Sequence, residues 1–170
     1  MVSQENTSNG STRPSWDEYF MMAAKLAATR ATCLQRRVGT VIVKNKRIIA
    51  TGFNGSPPGL PHCTDEGCLI LPDRGTACQR VLHSEHNAVL QDSKNLEGAT
   101  LYTSFFPCLN CMKIIISAKI KEVVYEKEHE EKDEYEKAKR GFAEQGKVVL
   151  RKIPEVDIVG ILSTFFSKEK

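Results

Sequence analysis

The chain has 170 residues, with 24 Lys+Arg against 21 Asp+Glu, a formal net charge of +3 and 41% hydrophobic residues. That composition describes one globular domain, long enough to bury a core without disulfides or metal as folding staples. No run approaches the roughly 18 apolar residues of a membrane helix, and the balanced charge leaves no polybasic footprint for duplex nucleic acid.

The first fifteen residues, MVSQENTSNGSTRPS, are polar and hold almost nothing a core could bury, so residues 1–15 read as a disordered tail. They also lack the basic start and apolar run of a signal peptide, which points to a cytoplasmic protein. Ser15 followed three residues on by Glu18 is a capping-box pattern, and Trp16, Phe20, Ala23, Ala24, Ala27 and Ala31 repeat at helical spacing. A first helix over roughly 16–33 is expected. Val38–Val43 and Ile48–Phe53, separated by the polar Lys44-Asn45-Lys46, read as a β-hairpin. Residues 54–81 then carry four Gly, four Pro and three Cys with no sustained period, which predicts a long irregular loop that something must organise. A helix near Glu85–Leu90, a strand at Thr100–Ser104, a helix at Leu109–Ala118 and a strand at Val123–Tyr125 follow. The charged stretch Glu126–Arg140 reads as a helix with a solvated face, Val148–Leu150 as a last strand, and Ile158–Phe166 as a short apolar terminal helix. Strands alternating with helices imply an α/β domain over residues 16–151 with a largely parallel sheet, followed by an extension at 152–170.

Six cysteines, at 33, 63, 68, 78, 108 and 111, are the compositional oddity. Without a secretory signal they suit metal or catalytic roles better than a disulfide framework. Two segments stand out, His83-Ser84-Glu85 and Pro107-Cys108-Leu109-Asn110-Cys111, each where a helix should begin. Alone, C-x-x-C is as easily a structural zinc half-site or a redox pair, and a His beside a Glu is weaker still. Joined as H-x-E followed by P-C-x-x-C, they match the zinc-dependent nucleobase deaminases. Cys108 and Cys111 share one helix face, and the helix N-terminus favours their thiolate form. With His83 they give Zn2+ three protein ligands and an open fourth position for water, the arrangement of a catalytic site. Zinc lowers the pKa of that water to about 7, and Glu85 is placed to move the proton.

The text Val38-Gly39, Thr51-Gly-Phe-Asn-Gly-Ser-Pro-Pro-Gly59, His83-Ser-Glu-His-Asn-Ala88, Glu97-Gly-Ala-Thr-Leu-Tyr-Thr103, Phe106-Pro-Cys-Leu-Asn-Cys111 and Ile120-Lys-Glu-Val-Val-Tyr125 resembles the cytidine and deoxycytidylate (dCMP) deaminase family. The resemblance implies a three-layer α/β/α fold with a five-stranded mixed sheet. It implies hydrolysis of dCMP to dUMP and ammonia, feeding dTMP synthesis, with Glu85 protonating ring N3 and then the departing amine. It also implies that Asn54 contacts the sugar, that the Ser84 backbone N–H meets the pyrimidine O2, and that the Phe106 carbonyl holds the amine. A homohexamer, dCTP and dTTP as effectors, and a second, structural zinc are implied too. Ser84 stands where similar sequences usually carry alanine. His129 stands near where they place a base-stacking tyrosine, and reads equally as a stacking ring or a surface residue.

Cys33, Cys63 and Cys78, then Cys68, then His62, are the expected ligands of that second zinc, which would organise the long loop; the bland alternative is buried free thiols. Arg80, three residues before His83, is the first choice for a substrate phosphate. Competing readings are a deaminase of dCTP or of single-stranded nucleic acid, and a non-catalytic zinc-stabilised accessory protein. The near-neutral charge disfavours nucleic acid as partner, and Glu85 disfavours the accessory reading, since a structural zinc has no use for that carboxylate.

Overall fold

A computed structural model describes residues 13–91, 94–128 and 133–167. Most of the polar tail and His129 lie outside the described residues. Helix α1 (Trp16–Ala28) opens on the full Ser15/Glu18 capping box, as the sequence pattern requires. It ends at Ala28, five residues short of the expected stop, so Cys33 lies in the turn beyond it.

Strands β1 (Gly39–Lys44) and β2 (Arg47–Phe53) form the expected antiparallel hairpin. Its tight turn places Asn45 and Lys46 at φ 52° and 58°, the conformation whose twist matches the flanking strands. The long loop is not wholly irregular. It contains a single helical turn, α2 (Cys63–Glu66), and a 3-10 turn at Pro72–Arg74. The rest follows as α3 (Ser84–Gln91), β3 (Thr100–Phe105), α4 (Leu109–Ser117), β4 (Glu122–Lys127), α5 (Asp133–Gln145), β5 (Val149–Lys152) and α6 (Ile158–Phe166).

The sheet order is β2-β1-β3-β4-β5. It is mixed, as the family resemblance implies, and not largely parallel as the alternation of strands and helices alone suggests: β1 runs antiparallel to β2 and β3, while β3, β4 and β5 are mutually parallel. The hairpin at the chain's start reverses one strand, and only the later βαβ units enforce parallel pairing.

Alternation along the strands sorts two cores. Ile42, Leu101 and Val123 face α3, α4 and α5 together with Ala88, Met112, Ile115 and Ala143. Val41, Val43, Tyr102 and Val124 face the opposite layer with Phe20, Met21 and Ala24 of α1. Each such side chain, withdrawn from water, contributes about 1.5–3 kcal/mol. The charged stretch departs from its expectation. Its first residues extend β4, and Lys139 on α5 is fully buried rather than solvated, its ammonium paired with Glu136 and lying 4.9 Å from the Phe106 ring. Helix α6 contributes only the partly buried Ile161 to a core and keeps Val159, Leu162, Phe165 and Phe166 exposed. Among the described residues no helix is long and apolar enough to cross a membrane.

Candidate metal centre and active site

Two helix starts meet at the edge of the sheet where β3 ends. His83 immediately precedes α3, and its carbonyl accepts the amide of Asn87. Cys108 is the N-cap of α4, and its carbonyl accepts the amide of Met112. Phe106 and Pro107, leaving β3, set the entry angle; Pro107 has no N–H to leave unsatisfied there. Both macrodipoles therefore point their positive ends at the same small volume, which favours thiolate and carboxylate.

The donors converge. His83 Nδ1 lies 3.5 Å from Cys108 Sγ and 3.4 Å from Cys111 Sγ, and the two sulfurs are 3.5 Å apart. Tetrahedral zinc with Zn–S near 2.3 Å and Zn–N near 2.0–2.1 Å separates its sulfurs by about 3.8 Å and sulfur from nitrogen by about 3.5 Å. The set fits zinc, and three protein donors leave a fourth position open. The Cys108 thiol is driven down to about 3 by its hydrogen bond with Cys111 and by the His83 imidazole. Cys111 is raised, because the thiolate it faces penalises a second negative charge and because it is buried. One of the pair is thus ionised before any cation arrives.

Glu85 lies one residue into α3 and is only 4% exposed. Burial pushes its carboxyl above the ordinary glutamate range, with His83 and the Ser84 hydroxyl pulling the other way. A carboxyl raised towards neutrality, beside the metal-type donors, can both take and give a proton. Ser84 is fully buried; its amide donates to Asn54 Oδ1 at 2.8 Å, and its hydroxyl reaches Glu85 Oε2 at 3.1 Å and Thr40 Oγ1 at 2.8 Å. Asn54 in turn donates from Nδ2 to the Arg36 carbonyl at 3.2 Å. Both ends of the Asn54 amide are engaged within the protein, so this residue ties the end of β2 to the start of α3. A pyrimidine O2 approaching the Ser84 N–H would share it with Asn54.

Phe106 is 1% exposed, packs its ring 4.8 Å from that of Tyr125, and anchors its amide on the Lys127 carbonyl. Arg80, expected at a phosphate, lies beside the cysteine loop. Its guanidinium pairs with Glu66 at 3.2 Å and its amide donates to Cys78 Sγ. Thr40 was invisible as a site residue. Its only mark in the sequence is a hydroxyl amid the apolar run Val38–Val43.

A second cluster lies in the long loop. The sulfurs of Cys63, Cys68 and Cys78 lie within 4.8 Å of one another, with Cys63 and Cys78 at 3.6 Å. Two of the other expected ligands are not in that set. Cys33 accepts the Arg36 amide and lies close enough to act on Cys68, and the His62 ring bonds Thr32 Oγ1 through Nδ1 at 3.2 Å.

Residues 14–127 match the family model of the cytidine and deoxycytidylate deaminase zinc-binding region. ComE operon protein 2 of Bacillus subtilis is 47% identical over 120 residues, covering 69% of this chain and 62% of that protein. The deoxycytidylate deaminase of Saccharomyces cerevisiae is 48% identical over 118 residues, covering 66% of this chain and 38% of that protein. The matched part is thus less than two thirds of the length of either. Deoxycytidylate deaminase of Mycobacterium phage D29 is 40% identical over 126 residues, covering 68% of this chain and 98% of that protein. The dCMP deaminase of cyanophage S-TIM5, solved in complex with dCMP and dUMP, superposes with a TM-score of 0.68 at 31% identity, covering 83% of this chain and 98% of that one. With its five-stranded mixed sheet, its two helix starts and its convergent His83, Cys108 and Cys111, this chain belongs to the cytidine and deoxycytidylate deaminase zinc-binding family.

Proposed function

We propose that the protein hydrolyses dCMP to dUMP and ammonia, with Glu85 as the proton carrier. The observation that carries this is the pairing of a buried, raised Glu85 carboxyl with the three-donor set of His83, Cys108 and Cys111. A zinc ion held by those three side chains would supply the Lewis acidity that makes water a nucleophile near neutral pH. This chain's own residues do the rest. Glu85 accepts the proton of the attacking water and delivers it to ring N3 as the C4–O bond forms; it then takes the proton of the new C4 hydroxyl and passes it to the amine as the C4–N bond breaks and the C4 carbonyl forms. Phe106, fixed between β3 and α4, offers its carbonyl to that amine. Thr40 and the Asn54–Ser84 pair hold the first turn of α3 against the sheet, so His83 and Glu85 keep their relative placement.

The preference for the monophosphate rests on relatives named deoxycytidylate deaminase and on the solved relative with dCMP and dUMP. A second zinc on Cys63, Cys68 and Cys78 belongs to the same reading, with Cys33, which acts on Cys68, as the fourth thiol. Such an ion orders the loop rather than the core, which is built from both faces of the sheet without it. His129 as a base-stacking ring, a homohexamer, dCTP and dTTP as effectors, and a cytoplasmic site of action complete the proposal.

The test is ammonia release from dCMP, dCTP, cytidine and a cytosine-containing oligonucleotide, with zinc measured on the purified protein. Turnover of dCMP above the others is expected, with two zinc ions per chain. Glu85→Gln should abolish turnover and keep the metal. Activity on none of the four with zinc loaded would overturn the catalytic reading in favour of an accessory role, and an active Glu85→Gln would overturn the role of Glu85.

A further inference from the structure

Glu85 has two chemically equivalent carboxylate oxygens, and the torsion that exchanges them is soft and roughly two-fold. A proton carrier works best when one oxygen always faces the reacting atoms, and the geometry around Oε2 supplies what breaks that equivalence. The Ser84 hydroxyl lies 3.1 Å from Oε2, and the Thr40 hydroxyl lies 2.8 Å from Ser84 Oγ. Both residues are fully buried. A serine hydroxyl has one proton. The Ser84 hydroxyl donates that proton to Oε2, so Ser84 Oγ must accept from Thr40 Oγ1. The direction of the second link follows from the first.

We propose that Thr40 and Ser84 form a two-hydroxyl tether that holds Glu85 Oε2, leaving Oε1 as the oxygen that takes up and releases the proton. Ser84 and Thr40 are positioning residues, acting on the reaction through Glu85; the inference rests on Glu85 being the proton carrier. The anchor is rigid on every side. The Ser84 amide is held by Asn54, its carbonyl lies against Gly52 of β2, and Thr40 is paired with Thr103 in the middle of the sheet. The tether survives the catalytic cycle, because Oε2 accepts from Ser84 whether Oε1 is bare or protonated. No atom leaves or enters the protein through it; the proton arrives from water at Oε1 and departs from Oε1 to N3 or to the amine.

The tether separates from a plain packing role by what its loss does. Ser84→Ala deletes one oxygen and adds no bulk. It should lower kcat for dCMP by about threefold to tenfold with KM within about twofold, zinc content unchanged and inhibition by the product dUMP unchanged. Affinity for a pyrimidine nucleotide hydrated at C4, which mimics the tetrahedral stage, should fall by the same factor as kcat/KM. Thr40→Val should reproduce a smaller loss and Thr40→Ser should restore wild-type values. The double variant Ser84→Ala/Thr40→Val should be no worse than Ser84→Ala alone, because the two hydroxyls act in series. An unchanged kcat in Ser84→Ala, multiplicative losses in the double variant, or a kcat loss that tracks lost zinc or lost dUMP affinity would each overturn the tether. Glu85→Gln measured alongside separates this from the functional reading. An inactive Glu85→Gln beside an unaltered Ser84→Ala overturns the tether alone, whereas an active Glu85→Gln overturns both.

Discussion

Gly52 on β2 lies directly beneath the first turn of α3, and Gly52→Ala tests whether the catalytic geometry depends on that close approach. A Cβ there would stand 2.1 Å from the Ser84 carbonyl oxygen and 2.5 Å from the Ala88 amide nitrogen. The first distance is about 1.3 Å short of the 3.4 Å at which ordinary contact begins. The obstructing atoms are backbone, so no side-chain rotation relieves them. Either α3 lifts from the sheet or β2 bends, and Ser84 lies between His83 and Glu85. Overpacking of this kind costs about 1–3 kcal/mol, here at the upper end because the helix must move as a unit. In a chain of this length that lowers Tm by roughly 5–10 °C. A displacement of about 1 Å at a reacting group costs about a hundredfold in rate, so dCMP deamination should fall far more than stability does. Differential scanning calorimetry, zinc content and ammonia release read the three quantities. Gly141→Ala is the matched control: nothing lies within 4 Å of its added Cβ. It sits inside α5, so it should stabilise by up to about 1 kcal/mol and leave activity alone. A Gly52→Ala protein with wild-type Tm and full activity would refute the packing of α3 on β2 and the dependence of the site on it.

Two further expectations concern buried charge. Lys139→Ala should destabilise by about 2–4 kcal/mol because it leaves Glu136 with only Arg140, at 4.0 Å, and opens a void under the Phe106 ring, while Lys139→Met, which keeps the volume, should cost less; equal losses in urea unfolding would place the effect in the lost charge and not in packing. At Asp17 burial acts to raise the pKa, but the Arg151 and Tyr102 hydrogen bonds outweigh it and hold the carboxyl below its ordinary value. Its contribution is therefore complete above the unfolded pKa of about 3.9 and is lost as pH falls through the lower folded value. Asp17→Asn should cost about 1 kcal/mol at pH 7, discounted because both partners are about a third exposed. The cost should shrink towards zero as pH falls through that lower folded value. A pH-independent difference would contradict the assignment.

Local chemistry made most of the elements readable. The Ser15/Glu18 box, the polar hairpin turn and the apolar, β-branched run of β1 are short-range patterns, and each stands where its residues placed it. The misreadings share one cause. Strand direction, the early end of α1 and the burial of Lys139 depend on partners distant in sequence. Lys139 looked solvated because its neighbours along the chain are charged, yet it is desolvated by Phe106, more than thirty positions away.

The same division holds at the site. The H-x-E and P-C-x-x-C text singles out His83, Glu85, Cys108 and Cys111, and the structure brings the three donors together with Glu85 beside them, because metal ligation restricts residue type and spacing so tightly that few other patterns serve. Sequence could not decide which loop cysteines gather or that Arg80 is bound to Glu66. Nor could it show that Thr40, forty-four residues before Ser84, closes a hydroxyl chain onto Glu85. Those are contacts across elements, set by how β1, β2 and α3 stack, and no period along the chain encodes them. Residue chemistry alone marked out a His/Cys/Cys donor set beside a glutamate; the packing of α3 on the sheet decided which side chains surround it.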